Sequence, residues 1–300
     1  MPSSVVGLPE ADLPTVVFIL MAEGLPFLLL GSLFSGLIEA FIRPEDLQRM
    51  APRGVLLAAL VGVLWGFALP VGESGTLPVV RQLLRKGAPL SLGIAFLLAA
   101  PAVNPVMLAG IGAVYGWGSL LLLRVAIGLA VAAGMGVLFS LADPTDEMLR
   151  PAAMAAAKDQ VGGAMVSLGG RVRHALRAAL RDFLDLGRYL AMGALLAALV
   201  QMFIPHGVLF TTDGAPLRAA IGAQALAYVL SAGPLGDARL ALNLVDGAAL
   251  AYLAFGAVVD LKATVMWLST FKARSVAYLI ALSLLMTLLA SLVALFFFAG

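Results

Sequence analysis

Glu73, Ser74, Asn104, Asp237, Asp260 and Lys262 stand within or beside long apolar stretches of a 300-residue chain. Ionisable groups in such places are rare and face a bundle interior or a water-filled cavity, because hydrocarbon does not solvate charge. A carboxylate there binds protons or cations, an ammonium supplies a counter-charge, and a carboxamide contacts a polar solute. Glu73 and Asp237 are therefore candidate proton or cation carriers, and Lys262 is the candidate counter-charge of the empty state. Asn104 and the carbonyls freed around it are candidate solute contacts. Glu23, just before Gly24 and Pro26, and Arg124 are further charges inside apolar spans. Asp260 and Lys262 are two residues apart and would not face each other on a regular helix, so each needs a partner elsewhere. Glu73 or Asp237 reaches Lys262 if the breaks described next converge. A structural ion pair is the alternative role for each charge. Ser74 is the one local candidate nucleophile, and glycine-flanked serines more commonly cap helices. No catalytic role, metal site or cofactor is expected.

Two interruptions must position these groups. Leu69 to Pro78 carries Pro70, Gly72, Gly75 and Pro78, and Leu230 to Asp237 carries Gly233 and Pro234; each follows one apolar segment and precedes another. A third, Pro101-Ala-Val-Asn104-Pro105, removes two backbone donors four residues apart. Lipid cannot hydrogen-bond a backbone freed by glycine or proline, so such breaks are buried in protein or line a cavity. A pair of them at matching places in two halves points to a transporter's binding site. Ordinary extramembrane loops are the other reading.

Composition supports a membrane setting. The chain is 62% apolar and 12% charged, against about 45–50% and about 25% in an average soluble domain. Mean hydropathy is +1.03. Cysteine is absent, and the two histidines, His174 and His206, lie far apart and suggest no metal site. The first twelve residues carry no basic side chain and do not resemble a cleaved signal. Spans are expected at Leu13–Ile42, Gly54–Leu69, Pro89–Tyr115, Trp117–Ala142, Tyr189–Pro205, Leu217–Leu230, Gly247–Thr270 and Val276–Phe298. Gly54–Leu69 and Leu217–Leu230 are short for full crossings, so each following break is expected to be the tip of a re-entrant hairpin. Short helical pieces, Leu77–Lys86 and Ala238–Val245, follow the breaks.

Basic residues mark the cytoplasmic side. They cluster after the first span (Arg43, Arg49, Arg53), after the first break (Arg81, Arg85, Lys86), in a central linker (Arg150 to Arg188) and between the last two spans (Lys272, Arg274). Placing all four inside sets both termini outside and makes the second half an inverted copy of the first. Ala95-Phe96 and Val106-Met107 match Ala254-Phe255 and Val265-Met266 at one constant offset, a weak sign of the same repeat. The expected division is residues 1–142, first membrane repeat; 143–188, a basic amphipathic cytoplasmic linker on anionic lipid; and 189–300, second repeat. No aromatics interleave with the linker's arginines, which argues against nucleic acid as a partner. No phosphate-binding glycine loop or His-Glu-x-x-His helix occurs. Gly62/Gly66 and Gly112/Gly116 suit close helix packing, and Trp65, Trp117 and Trp267 suit interfacial or packing positions.

Taken together the motifs resemble the YraQ/ArsP-type predicted permeases over nearly the whole chain. The resemblance rests on Glu23-Gly-Leu-Pro26, Pro70-Val-Gly-Glu-Ser-Gly75 with Leu77-Pro78 and Arg81, and Ala95 to Pro105. It continues in Leu230-Ser231, Asp237-Ala238, Ala254-Phe255-Gly256 and Asp260-Leu-Lys262. It implies an inner-membrane permease of about eight spans. It also implies organoarsenical export through thiols in the two breaks, whose corresponding positions here are Gly72, Ser74 and Gly233. Soft metalloids prefer thiolates, and this chain has none. The matching positions carry over Glu73, Asn104, Asp237, Asp260 and Lys262 as pathway residues.

The expectation is an all-α integral membrane protein of two inverted repeats with broken helices, working as a multi-pass inner-membrane permease. It moves a small solute or ion by alternating access, coupled to protons or driven by the solute gradient, and contacts lipid; an oligomer is compatible with it. The alternative is a non-transporting assembly or receptor protein of the same fold.

Overall fold

The computed structural model describes residues 12–142, 145–151, 167–203, 216–244 and 246–298. Among them there is no strand, only an isolated antiparallel bridge between Leu149 and Phe271. The helices are α1 (Leu13–Phe41), α2 (Pro44–Met50), α3 (Val55–Ala68), α4 (Gly72–Arg85), α5 (Leu90–Val103), α6 (Pro105–Tyr115) and α7 (Ser119–Ala142). They continue as α8 (Thr145–Met148), α9 (Leu168–Phe203), α10 (Pro216–Leu230), α11 (Gly233–Ala241), α12 (Asp246–Gly256), α13 (Leu261–Trp267) and α14 (Ala273–Phe298). His206 and Pro205 fall outside the described residues.

Among the described residues six helices are long and apolar enough to cross a membrane: Leu13–Phe41, Leu90–Val114, Ser119–Leu141, Leu168–Phe203, Gly247–Trp267 and Ala273–Phe296. The α2–α3 pair, bent by 108°, makes a seventh if taken as one span. Helix α3 has 14 residues, which at about 1.5 Å each reach roughly 21 Å, short of the roughly 30 Å hydrocarbon core.

Helix α5 is buried along its whole length and packs between α3 and α7, while α10, α12 and α14 pack on one another. Glycine permits the closest of these approaches. A Cβ on Gly62 would meet the Leu92 carbonyl, and one on Gly66 would lie 2.8 Å from the Ala100 nitrogen. The Gly62/Gly66 pair is thus a helix seam, as its spacing suggests. The Gly112/Gly116 pair is not: Gly112 lies under the Trp117 ring, and Gly116 follows α6 at φ +89° with open space around it. Trp267 is buried and Trp117 is exposed.

The long helices α1 and α9 cross along an extensive seam. At one end Ser35 donates to Asp182 (2.5 Å), and Glu39 pairs with His174 (3.0 Å) and Arg181 (3.1 Å). Arg81 of α4 pairs with Asp185 of α9 (2.6 Å). Helix α9 runs unbroken through Arg188, where the sequence reading puts the edge of the linker. The basic stretch from Leu168 and the apolar stretch after Tyr189 are one helix because no glycine–proline breaker separates them. Leu176, Leu180 and Leu184 remain exposed on it.

Several expected breakers do not break. Gly75 and Pro78 sit inside α4, and Pro101 sits inside α5. A proline deletes only one helical bond, and the packing of these largely buried helices outweighs that loss. The helices are interrupted instead between Ala68 and Gly72, at Asn104 and between Leu230 and Gly233. Pro105 and Pro234 stand at helix starts, where a missing N–H is harmless. The pieces expected at Leu77–Lys86 and Ala238–Val245 begin about five residues earlier, at Gly72 and Gly233.

Candidate functional site

The two main breaks share one backbone device. Before α4, Val71 is helical (φ −87°, ψ −13°) and Gly72 turns left-handed at φ +59°. Before α11, Ala232 is helical (φ −72°, ψ −6°) and Gly233 turns left-handed at φ +74°. Ser231, at φ +44°, is the one non-glycine residue of positive φ among the described residues. Its hydroxyl donates to the Tyr228 carbonyl (3.1 Å) and accepts from the Leu261 N–H (2.9 Å), tying the second break to the start of α13.

Asp260 is not inside a helix. It is the N-cap of α13 and accepts from the Ala263 N–H at 2.6 Å. That corrects the expectation that Asp260 and Lys262 cannot meet. An extended residue before the first turn does not obey helical spacing, and Lys262 Nζ lies 3.7 Å from Asp260 Oδ2. Lys262 is only 5% exposed. The carboxylates acting on it are Glu73 from α4, Asp260, Glu23 from α1 and Asp237 from α11. Glu73 is near enough to Asp260 for the two carboxyl groups to influence each other. Asp237 accepts from the buried Tyr252 hydroxyl at 2.8 Å.

Glu73, Asp237 and Arg124 line one small cavity together with Pro101, Gly233 and Gly256; about 20 Å³ of it admits water. That is room for roughly one molecule. Asn104 is fully buried at the C-cap of α5. Ser74 is buried beside Gly24. A larger groove of about 700 Å³ lies between α7 and α14, lined by Phe139, Met148, Lys272 and Tyr278, and none of the site residues reaches it. Among the described residues no three His, Asp or Glu converge in a metal-holding arrangement.

Three members of this cluster are not legible as site residues in the sequence. Glu23 and Arg124 stand out there as charges in apolar spans, without partners. Tyr252 gives only the general signal that a buried phenol needs an acceptor.

A family profile described as a predicted permease matches residues 13–296. The chain belongs to this ArsP-type family of predicted permeases. Two relatives extend over almost all of it. The "UPF0718 protein YcgR" of Bacillus subtilis (strain 168) is 33% identical over 94% of this chain and 96% of that protein. The "Putative two-component membrane permease complex subunit" of Streptococcus mutans serotype c is 29% identical over 95% and 96%. No solved structure matches. The permease family and the apolar helices together make this a multi-pass membrane protein of the transport class.

In this permease the positions of the expected thiols are occupied. A Cβ on Gly72 would lie 2.7 Å from the Phe27 ring, and one on Gly233 would fall on the Glu23 carboxylate. Gly233→Ala is expected to lower stability by about 1–2 kcal/mol through its left-handed backbone alone, and by more if Glu23 is displaced. Thermal unfolding in detergent reads this. A melt equal to that of the unsubstituted protein would show that Glu23 does not occupy the space over Gly233.

Proposed function

We propose that the protein moves a small solute or ion through the region between its two breaks, with protons as the coupling ion. The observation that carries this reading is Lys262, buried at the junction of broken helices, paired with Asp260 and within electrostatic range of carboxylates on three other helices. A fixed ammonium among more acids than it can neutralise leaves negative charge for protons or a cationic group to balance. Glu73 and Asp237 are the carriers in this reading, Lys262 and Asp260 hold the empty state, and Ser74 and Asn104 contribute solute contacts. The small cavity shared by Glu73 and Asp237 fits a closed state, with water excluded from both sides.

An eight-segment inverted repeat is supported by the pattern of packing. Helices α3, α5 and α7 pack as one group and α10, α12 and α14 as another. Helix α4 touches α13, and α11 touches α6, across the halves. The matched left-handed glycines fall at the same place in each series. With basic residues inside, the linker is cytoplasmic and the membrane is the plasma membrane. The relative named as a complex subunit favours a second subunit as partner, in which case transport needs that subunit too.

A thermal-shift screen of purified protein against oxyanions, metalloids and divalent cations tests the site. A stabilising solute is expected to act more strongly at one end of the pH range. That pH dependence should vanish in Glu73→Gln or Asp237→Asn. If both variants keep the wild-type response across pH, the carrier roles are wrong.

A further inference from the structure

Arg124 lies in the second turn of α7 and is 3% exposed. Its Nη1 donates to the Ala102 carbonyl at 3.0 Å and its Nε donates to the Leu253 carbonyl at 3.2 Å. Ala102 is in the last turn of α5, which stops at Asn104, and Leu253 is in the last turn of α12, which stops at Gly256. Final-turn carbonyls lack helical partners or share them, and they carry the negative end of the helix dipole. The guanidinium therefore holds the ends of two broken helices, one from each half of the chain. Arg124 also lines the cavity shared by Glu73 and Asp237.

We propose that Arg124 is the positioning residue that clamps α5 to α12 and keeps the Glu73–Asp237 cavity closed, so that opening the pathway requires its release from one of the two carbonyls. This rests on the reading of that cavity as part of the transport route. A planar fork suits the task. Two donors at fixed angles reach two acceptors from distant parts of the chain, whereas a lysine keeps the charge without the fork. The side chain is costly to bury, and a packing role alone would be met by leucine, as at Leu121 and its other buried neighbours on α7.

The absence of cysteine makes the test clean, since no background thiol exists. Ala257→Cys places a reporter in the cavity wall. Ala194→Cys places a control in the separate buried cluster between α1 and α9. A charged, membrane-impermeant thiol reagent is applied to the full-length protein in vesicles. The reporter at 257 is expected to label slowly in the wild-type background. With Arg124→Gln it should label faster by on the order of tenfold, the effect of losing one charged hydrogen bond. Arg124→Lys should fall between, and the control should stay slow throughout. If Arg124→Gln does not give folded protein, Arg124→Lys carries the test. Equal rates at 257 in all backgrounds overturn the clamp while leaving a water-accessible route intact. Acceleration at 257 and 194 alike also overturns it, showing general loosening. No labelling at 257 in any background sinks both the clamp and the transport route.

Discussion

Lys262→Met is expected to lower stability by about 3–5 kcal/mol, the usual penalty for stripping the partner from buried charge. The reason is local. Lys262 Nζ sits 3.7 Å from Asp260, and Glu73, Glu23 and Asp237 also act on it. Removing the ammonium leaves these carboxylates facing one another with little solvent between them. The variant can recover only by taking up protons, so the deficit is largest at alkaline pH and shrinks as the medium is acidified. Glu73→Gln added to Lys262→Met removes one of the repelling charges and should restore a sizeable part of the loss. Thermal unfolding of the two single variants and the double variant forms a cycle that isolates the coupling. Additive losses would show that Lys262 is not the shared counter-charge of the cluster.

Gly75→Val should be among the most damaging small-to-large changes in the first half. A Cβ on Gly75 would fall on the Phe27 carbonyl, and one on Gly31 would fall on the Gly75 carbonyl. Both obstacles are backbone, so no rotamer change relieves them and α1 must part from α4. Overpacking a core typically costs about 1–3 kcal/mol, and a collision with main chain belongs at the top of that range or above it. Glu73 travels with α4, so ligand response should vanish with it. Gly222→Ala in α10 is the contrast. Nothing lies within 4 Å of its built Cβ, and a helix-interior Gly→Ala change is worth roughly 0.5–1 kcal/mol of stabilisation. Size-exclusion homogeneity and melting temperature separate the two. A well-folded Gly75→Val protein would mean that the α1–α4 seam is looser than described.

The breaks were legible in the sequence because glycine and proline at membrane depth have few permitted settings. Pro70 and Gly72, and Gly233 with Pro234, mark where the chain leaves and re-enters helical geometry. Which proline breaks a helix was not legible. Pro78 and Pro101 are carried inside helices by the packing around them, and that packing comes from residues far away in the chain. The pairing of Asp260 with Lys262 is hidden in the sequence because the apolar run around it has the pattern of one continuous helix. Asp260 followed by Leu-Lys-Ala is itself an N-cap signal, and it could have located the break. Tyr252 on Asp237 and Glu23 over Gly233 depend on contacts 15 and 210 residues apart in sequence. Sequence can say that such groups need company but not which.

Helix α9 is a single rod of 36 residues, about 54 Å at 1.5 Å per residue, well beyond the thickness of a bilayer's interior. Its N-terminal end holds Arg171, Arg177 and Arg181. Further along, Gly193 lies so close to Lys262 that an added Cβ would sit 3.0 Å from the lysine's Cα. No proline lies between them, so one continuous helix links the two points. The arginine-bearing end and the main chain of Lys262 are therefore joined through a single secondary-structure element.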